Sequence, residues 1–316
     1  MSPAANLGLP TAISRLPQFS DENAQLWSRC WVAAGVEEMI AEPGEILPAT
    51  IGDHGVHVLR TSQGHLDGGY NAFQQGSCWN IPAQCSNGAK VECAYVSCGH
   101  SRDGDVLRPG VSENRLIRQM VGARPSRRVA IRVATAGPVI FVALPGHEPA
   151  PLADQTPEGV SALVSASSDL RFHSYFHVDA VCNWRYVAAR LAYAMGARDP
   201  VSNVSVIIPP QDLPDGLRPL PGDRGGLRSA VVISGFPNLT IVELPTHRAI
   251  LIAKPVNLGR TEITVALYGR ESAPASWPTV EHTWRRMIET LPSVDDETDS
   301  PVARWATQRC EMAGAG

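Results

Sequence analysis

Seven cysteines and nine histidines supply enough thiolate and imidazole to hold a metal, so their spacing decides which chemistry is open. Cys78, Cys85, Cys93 and Cys98 fall in one short stretch, with His100 just beyond. Thiolate and imidazole suit zinc, but no Cys-x-x-Cys knuckle occurs among them, and the spacing reads as buried or idle thiols. Cys98-Gly-His100 is a Cys-x-His pair, yet no Cys-x-x-His follows it anywhere in the chain. Written as a nucleophile and base, Cys93 or Cys98 with His100 lacks the third group that would orient the base. His173 and His177 stand four apart in an apolar, β-prone run. On a straight strand they share one face about 13 Å apart, too far for one ion. Either they line a cavity and exchange protons near neutral pH, or they are hydrogen-bonded members of a half-buried sheet. His54, His57 and His65 fall on strands or turns, His147 in a proline-rich connection, and His247 at a turn after Pro245-Thr246. No nucleophile elbow, phosphate loop or dinucleotide fingerprint is present.

These groups sit in a chain of 316 residues with 44% hydrophobic and 18% charged residues, which fills a core and excludes a wholly disordered chain. The length suits one large domain or two. A net charge of −4 argues against a partner bound by phosphate neutralisation, so no nucleic acid is expected. Only Lys90 and Lys254 are lysines; the remaining strong bases are arginines. Arg124, Arg127, Arg128 and Arg132 form a basic run that reads as a solvated loop and strand edge, or as a dock for an acidic partner. The first residues lack a basic start followed by an apolar run, and no apolar stretch nears the roughly 20 residues that span a bilayer. The expectation is a cytoplasmic protein without a membrane segment, its cysteines reduced.

Two kinds of element pattern divide the chain. Short strands are expected at 46–51, 55–60, 66–73, 91–96, 129–136 and 139–144, the last two joined at Gly137-Pro138. Such spacing suggests an antiparallel sandwich or barrel. Pro145 to Asp154 reads as a linker. Beyond it come a strand over 170–181, then a helix from Asn183 to about Ala197 with Trp184, Val187, Leu191 and Met195 on one face. A meander over 204–208, 229–233, 239–244, 249–252 and 262–267 follows, then a closing helix over 280–291. The fold class is α+β. The expected divisions are a flexible segment 1–25, a β domain 26–150 and an α+β domain 151–316.

The order of motifs resembles the catalytic subunits of Rieske non-haem iron oxygenases, the aromatic-ring-hydroxylating enzymes, over about residues 27–291. Trp31-Val-Ala-Ala, Pro43-Gly-Glu-Ile-Leu47, Gly55-Val-His-Val-Leu-Arg60 and Gly64-His-Leu leading to Tyr70-Asn71-Ala72 are similar to the start of that family's Rieske domain. Val139-Ile-Phe-Val-Ala-Leu144 is similar to the strand that ends it. Asn183-Trp184-Arg185 looks like the start of the iron-bearing helix, and Phe236-Pro-Asn238 like the catalytic sheet. The resemblance implies a Rieske-like antiparallel β domain followed by a helix-grip (START-like) α+β domain, and subunits that form rings of three.

Its ligand positions carry the wrong residues. A Rieske [2Fe–2S] centre needs two Cys and two His; the matching positions hold Phe73, Gln75, Cys93 and Val96. The mononuclear iron needs two His and a carboxylate; the positions hold Gly196, Val201 and Glu281, and no histidine lies between His177 and His247. Tyr193 falls where the family has an acid that relays electrons between subunits. No cofactor is therefore expected; only a different register would restore [2Fe–2S] and Fe(II). Glu281 otherwise reads as a first-turn acid favoured by the helix dipole.

Three functions remain open. The first is a pseudo-oxygenase, a non-catalytic partner of a homologous oxygenase subunit or a member of a homo-oligomer of trimer-ring type. The second is a metal-independent cyclase, isomerase or hydrolase using the apolar cavity of the C-terminal domain, with His173, His177, Tyr175, Arg185, Tyr193 and Glu281 as candidate residues. The third is an oxygenase with an unorthodox metal site. A small aromatic or apolar ligand suits each.

Overall fold

The computed structural model describes residues 26–51, 54–70, 130–146, 149–155, 170–196, 205–218, 229–235, 237–257, 259–269 and 276–291. The strand expected at 91–96, the positions Phe73, Gln75, Cys93, Val96 and Val201, the cluster of Cys78, Cys85, Cys98 and His100, and both end segments lie outside them.

The first sheet is antiparallel, of six strands in the order β1-β6-β5-β4-β3-β2. They are β1 (Val32–Val36), β2 (Ile46–Ile51), β3 (His54–Arg60), β4 (Leu66–Tyr70), β5 (Ala130–Ala136) and β6 (Val139–Ala143). The apolar run that forms β6 is buried at every residue, as is β1, whereas β5 is largely half-buried or exposed. β5 and β6 turn at Gly137, whose φ of 54° lies in the left-handed region that glycine enters without cost.

The second sheet has the order β7-β12-β11-β10-β9-β8. Its strands are β7 (Arg171–Ala180), β8 (Ser205–Ile208), β9 (Ala230–Gly235), β10 (Leu239–Glu243), β11 (His247–Asn257) and β12 (Arg260–Gly269). Strands β8 to β12 form the expected meander, and β7 pairs on the far side of β12. β11 runs longer than expected because Pro255, which cannot donate to a ladder, sits where the register shifts between Pro255 and Asn257.

Three helices matter for the site: α1 (Leu152–Gln155), α2 (Val187–Ala194) and α3 (Trp277–Glu289). The single helix expected from Asn183 is instead a 3-10 turn, Trp184–Tyr186, running into α2. Asn183 Oδ1 accepts from Arg185 N at 3.0 Å and starts that turn. α3 begins three residues before its expected start, with Ser276 as N-cap and a proline in the first turn. Glu281 is consequently a second-turn residue. The helix-dipole reading of Glu281 is corrected, since the free N–H groups end with the first turn.

One apolar core runs from Leu26 through both sheets to Leu291. β1, an edge strand, is held by two side-chain amides. Gln155 of α1 accepts from Trp31 N (2.9 Å) and donates to Trp31 O (2.5 Å). Asn238, before β10, accepts from Ala33 N and donates to Ala33 O, both at 2.9 Å. Tyr268 donates to Glu38 Oε2 at 2.8 Å, and Trp27 meets Trp184 edge-on at 4.8 Å. The connection expected as a linker is thus docked at its far end, where Trp31 Nε1 also donates to Ala150 O at 3.1 Å.

Candidate functional site

β7 carries three of the sequence candidates, and its ladder decides where they go. Ser174 pairs with Leu267 while Phe172 pairs with Tyr268, so His173 is an extra residue in a β-bulge. The expectation that His173 and His177 share one face is corrected by this bulge, because one inserted residue breaks the period of two. His173 lies against α3, its ring stacked on Trp277 at 3.9 Å and 15°. His177 points to the opposite side of the sheet.

On the helix side, Ser174 Oγ donates to Glu281 Oε1 at 2.5 Å, and His173 Nε2 is 3.9 Å from that oxygen. Both His173 and Glu281 are about one-third exposed. A carboxylate shared by a hydroxyl and an imidazole can hold or pass a proton at the surface. Serine is bonded to the carboxylate and not to the imidazole, so this is not a nucleophile–base relay. Arg285 of α3 sits over the Phe176 ring at 4.1 Å and donates to the His177 carbonyl at 3.1 Å, locking the helix to β7.

On the far side, His177 Nδ1 is 3.1 Å from Thr264 Oγ1 and 3.9 Å from Glu262 Oε1. The Tyr175 ring meets His177 edge-on at 5.9 Å. Glu262 in turn pairs across the ladder with Lys254. Neither Glu262 nor Lys254 is a site candidate from the sequence, where Lys254 stands out only as one of two lysines. Their positions in β12 and β11 read as ordinary strand, and only their burial, 8% and 4% exposed, marks them.

The other two candidates stand apart. Arg185 lies in the 3-10 turn, 5.8 Å over Trp184, and lines a cavity of about 30 Å³ with Val187, Ser234 and Thr240. That volume is room for a water or two, not for an aromatic substrate. Tyr193, on α2, is 66% exposed and faces solvent. The structure therefore brings together His173 with Glu281, and separately Tyr175 with His177, but not all six.

His247 was expected at a turn. It is instead the first residue of β11, paired with Gly269 and 1% exposed. Its Nε2 accepts from Trp284 Nε1 at 3.2 Å, which leaves the proton on Nδ1, 2.9 Å from Thr246 Oγ1. Burial pushes its pKa down to about 4. Trp277 packs against Gly269, where any Cβ would overlap its ring. A signal existed in the apolar period of α3, which puts Val280, Trp284, Met287 and Ile288 inward, but nothing named the sheet residue opposite.

Of the three residues that the resemblance sets at iron positions, Gly196 and Glu281 are among the described residues. Gly196 ends α2 with φ 101°, its N–H bonded to Tyr193 O at 2.9 Å, the usual glycine stop of a helix. A Cβ there would overlap the Asp212 carbonyl oxygen, so an imidazole has no place to stand. Glu281 alone offers one carboxylate, already engaged by Ser174. Among the described residues, no group of three or more His, Cys, Asp or Glu is arranged to hold a metal.

No family model and no curated protein matches the sequence. Solved structures do match. The apo form of the quaternary ammonium Rieske monooxygenase CntA is 12% identical, with TM-score 0.54 over 92% of this chain and 91% of that one. A quaternary ammonium Rieske monooxygenase described in terms of carnitine oxidation by gut microbiota and inter-subunit electron transfer is also 12% identical, with TM-score 0.51 over 94% and 91%. Naphthalene 1,2-dioxygenase with indole bound in its active site is 16% identical, with TM-score 0.54 over 95% and 78%. The chain is thus similar in fold to Rieske oxygenases: an α+β arrangement of antiparallel sheets with a few helices. No helix among the described residues is long and apolar enough to cross a membrane.

Proposed function

We propose that the chain is a pseudo-oxygenase, a Rieske-oxygenase-like subunit that does not carry out iron chemistry and serves as a partner within an oxygenase assembly acting on an aromatic or natural-product small molecule. The observation that carries this reading is Gly196, whose left-handed backbone and contact with Asp212 suit a helix stop and leave no room for an iron ligand. In this reading residues 26–150 form a Rieske-like β domain with a degenerate cluster site. Residues 151–316 form a helix-grip, START-like domain in which the second sheet curves about α3. The assembly is a cytoplasmic homo- or hetero-oligomer of trimer-ring type, built with a homologous subunit.

Co-expression with homologous oxygenase subunits, followed by affinity capture and size exclusion, tests this. A stable mixed assembly lacking iron in this subunit is the expected result. Iron, acid-labile sulfide and visible absorption in the freshly purified chain would overturn it in favour of an oxygenase with an unorthodox centre.

A second reading is a metal-independent enzyme of cyclase, isomerase or hydrolase type. It is favoured by the polar groups retained on β7 and its neighbours: Ser174, His173 and Glu281 on one side, His177, Tyr175, Thr264 and Glu262 on the other. Proton transfer needs no metal when such groups are positioned. Turnover that survives chelation supports it; turnover that requires added iron and a reductase excludes it.

A further inference from the structure

Lys254 is one of two lysines among 27 lysine and arginine residues in the chain. It lies in β11, 4% exposed, and its Nζ has no hydrogen-bond partner among the described residues. Burying an ammonium without an acceptor is costly, and replacing it with an apolar side chain would ordinarily be the cheaper solution. The chain uses arginine for nearly every other cation, but a guanidinium is never a nucleophile, whereas an amine is.

The ladder fixes what surrounds it. Lys254 is the direct partner of Glu262, which pairs onward with Asp179; two residues along, Thr264 pairs with His177. Direct partners point to the same side of a sheet, so Lys254, Glu262, Thr264 and His177 share one face. Glu262 leans toward the imidazole, its Oε1 3.9 Å from His177 Nδ1, and Thr264 Oγ1 is 3.1 Å from the same nitrogen. An amine with a carboxyl group across from it and an imidazole beyond is an arrangement for capturing a carbonyl.

We propose that Lys254 is a nucleophilic amine that takes a small aldehyde or ketone as an imine, with Glu262 as the proton carrier and His177 positioning Glu262. The Nζ lone pair attacks the carbonyl carbon, and the C–O π electrons move to oxygen. Glu262 carries one proton from the new C–N centre to the alkoxide, giving a carbinolamine, then a second from nitrogen to its hydroxyl, which leaves as water while the C=N bond forms. The amine loses two protons, the carbonyl oxygen leaves with them, and no oxidant or reductant is needed. The proposal rests on the metal-independent reading and names the substrate class of one face of its sheet.

The test is trapping on the full-length chain. Folded protein is incubated with propanal and cyanoborohydride, digested and mapped by mass spectrometry; with two lysines the sites are easily told apart. Lys254 should gain the propyl group with a rate that saturates in propanal. Glu262→Gln should slow it at least tenfold, and His177→Gln less. Lys254→Met should leave only Lys90 and the amino terminus labelled, with a melting temperature equal to or above that of the parent. Labelling of Lys254 only after denaturation, or a linear dependence on propanal that Glu262→Gln leaves unchanged, would overturn the proposal. Turnover by chelated Lys254→Met protein would overturn it too while leaving the metal-independent reading standing. Loss of all chelator-resistant turnover in parent protein that still labels at Lys254 would instead sink that reading.

Discussion

At the scale of the residue, the clearest facts concern what a side chain can offer. Phenylalanine, valine and glycine have no lone pair for iron, and that much is legible in the sequence at Phe73, Val96 and Gly196. What the sequence does not reveal is why Gly196 is glycine. The reason is a left-handed helix stop against a carbonyl 16 residues on, at Asp212. Gly196→His should therefore destabilise the chain by about 2 kcal/mol or more and bind no iron, read by denaturant melts and metal analysis. His247 is the opposite case, a histidine that spacing placed at a turn and packing placed in the core. Its pKa falls to about 4, below the ordinary 6.5, because burial disfavours the charged ring. Between these values the unfolded chain binds the extra proton, so stability is complete above about pH 6.5 and is lost as pH falls toward 4. The loss is on the order of 3 kcal/mol. His247→Gln should cost stability at neutral pH but flatten the slope of unfolding free energy between pH 4 and 6.5.

At the scale of the element, strand and helix identities were largely legible because period and turn residues announce them. All the described strands of the second sheet lie where alternation and turn signals put them, with ends displaced by a few residues. The bulge at His173 was not legible. Counting by twos assumes an uninterrupted ladder, and nothing in Phe172-His173-Ser174 declares that the partner strand skips one of them. That single residue sends His173 to α3 and leaves His177 with Thr264, so two separate polar groups form where even spacing put both histidines on one face. The joint between β7 and α3 can be measured. Glu281→Ala removes the acceptor of Ser174 Oγ and the neighbour of His173, and should lower stability by about 1 kcal/mol, since the carboxylate is partly exposed. Glu281→Gln, which keeps an acceptor, should recover most of it in the same melts.

At the scale of the whole molecule, the two sheets share one apolar core, and a few long-range contacts close the edge of the first onto the second. Tyr268 reaches Glu38, whose pKa is raised chiefly by burial, against the hydrogen bond that lowers it. A raised carboxyl binds its proton more tightly when folded, so burying Glu38 costs least below the ordinary carboxyl pKa and most once pH rises through the folded value, the hydrogen bond from Tyr268 offsetting part of that cost. Acid therefore favours the buried Glu38 carboxyl while it disfavours the buried His247 ring, and the two oppose each other where their ranges overlap. Asn238 is the stronger joint. The sequence showed it only as part of Phe236-Pro-Asn238, a family-like motif without a reason, because its partner is 205 positions away. Folded, its 4%-exposed amide satisfies both backbone groups of Ala33, and Gln155 does the same for Trp31 on the same strand. Asn238→Leu would strip a buried N–H and a buried C=O of their partners, at about 1–3 kcal/mol for each group left unsatisfied. Asn238→Asp keeps one acceptor and puts a carboxylate beside the Ala33 carbonyl, so it should be little better. Gln155→Leu, nearer the surface, should cost less. If the amides act together to seat β1, the double variant should lose its single cooperative transition, the second sheet melting separately from the first. Two coincident transitions in calorimetry and tryptophan fluorescence would show instead that the shared apolar core couples the sheets without them.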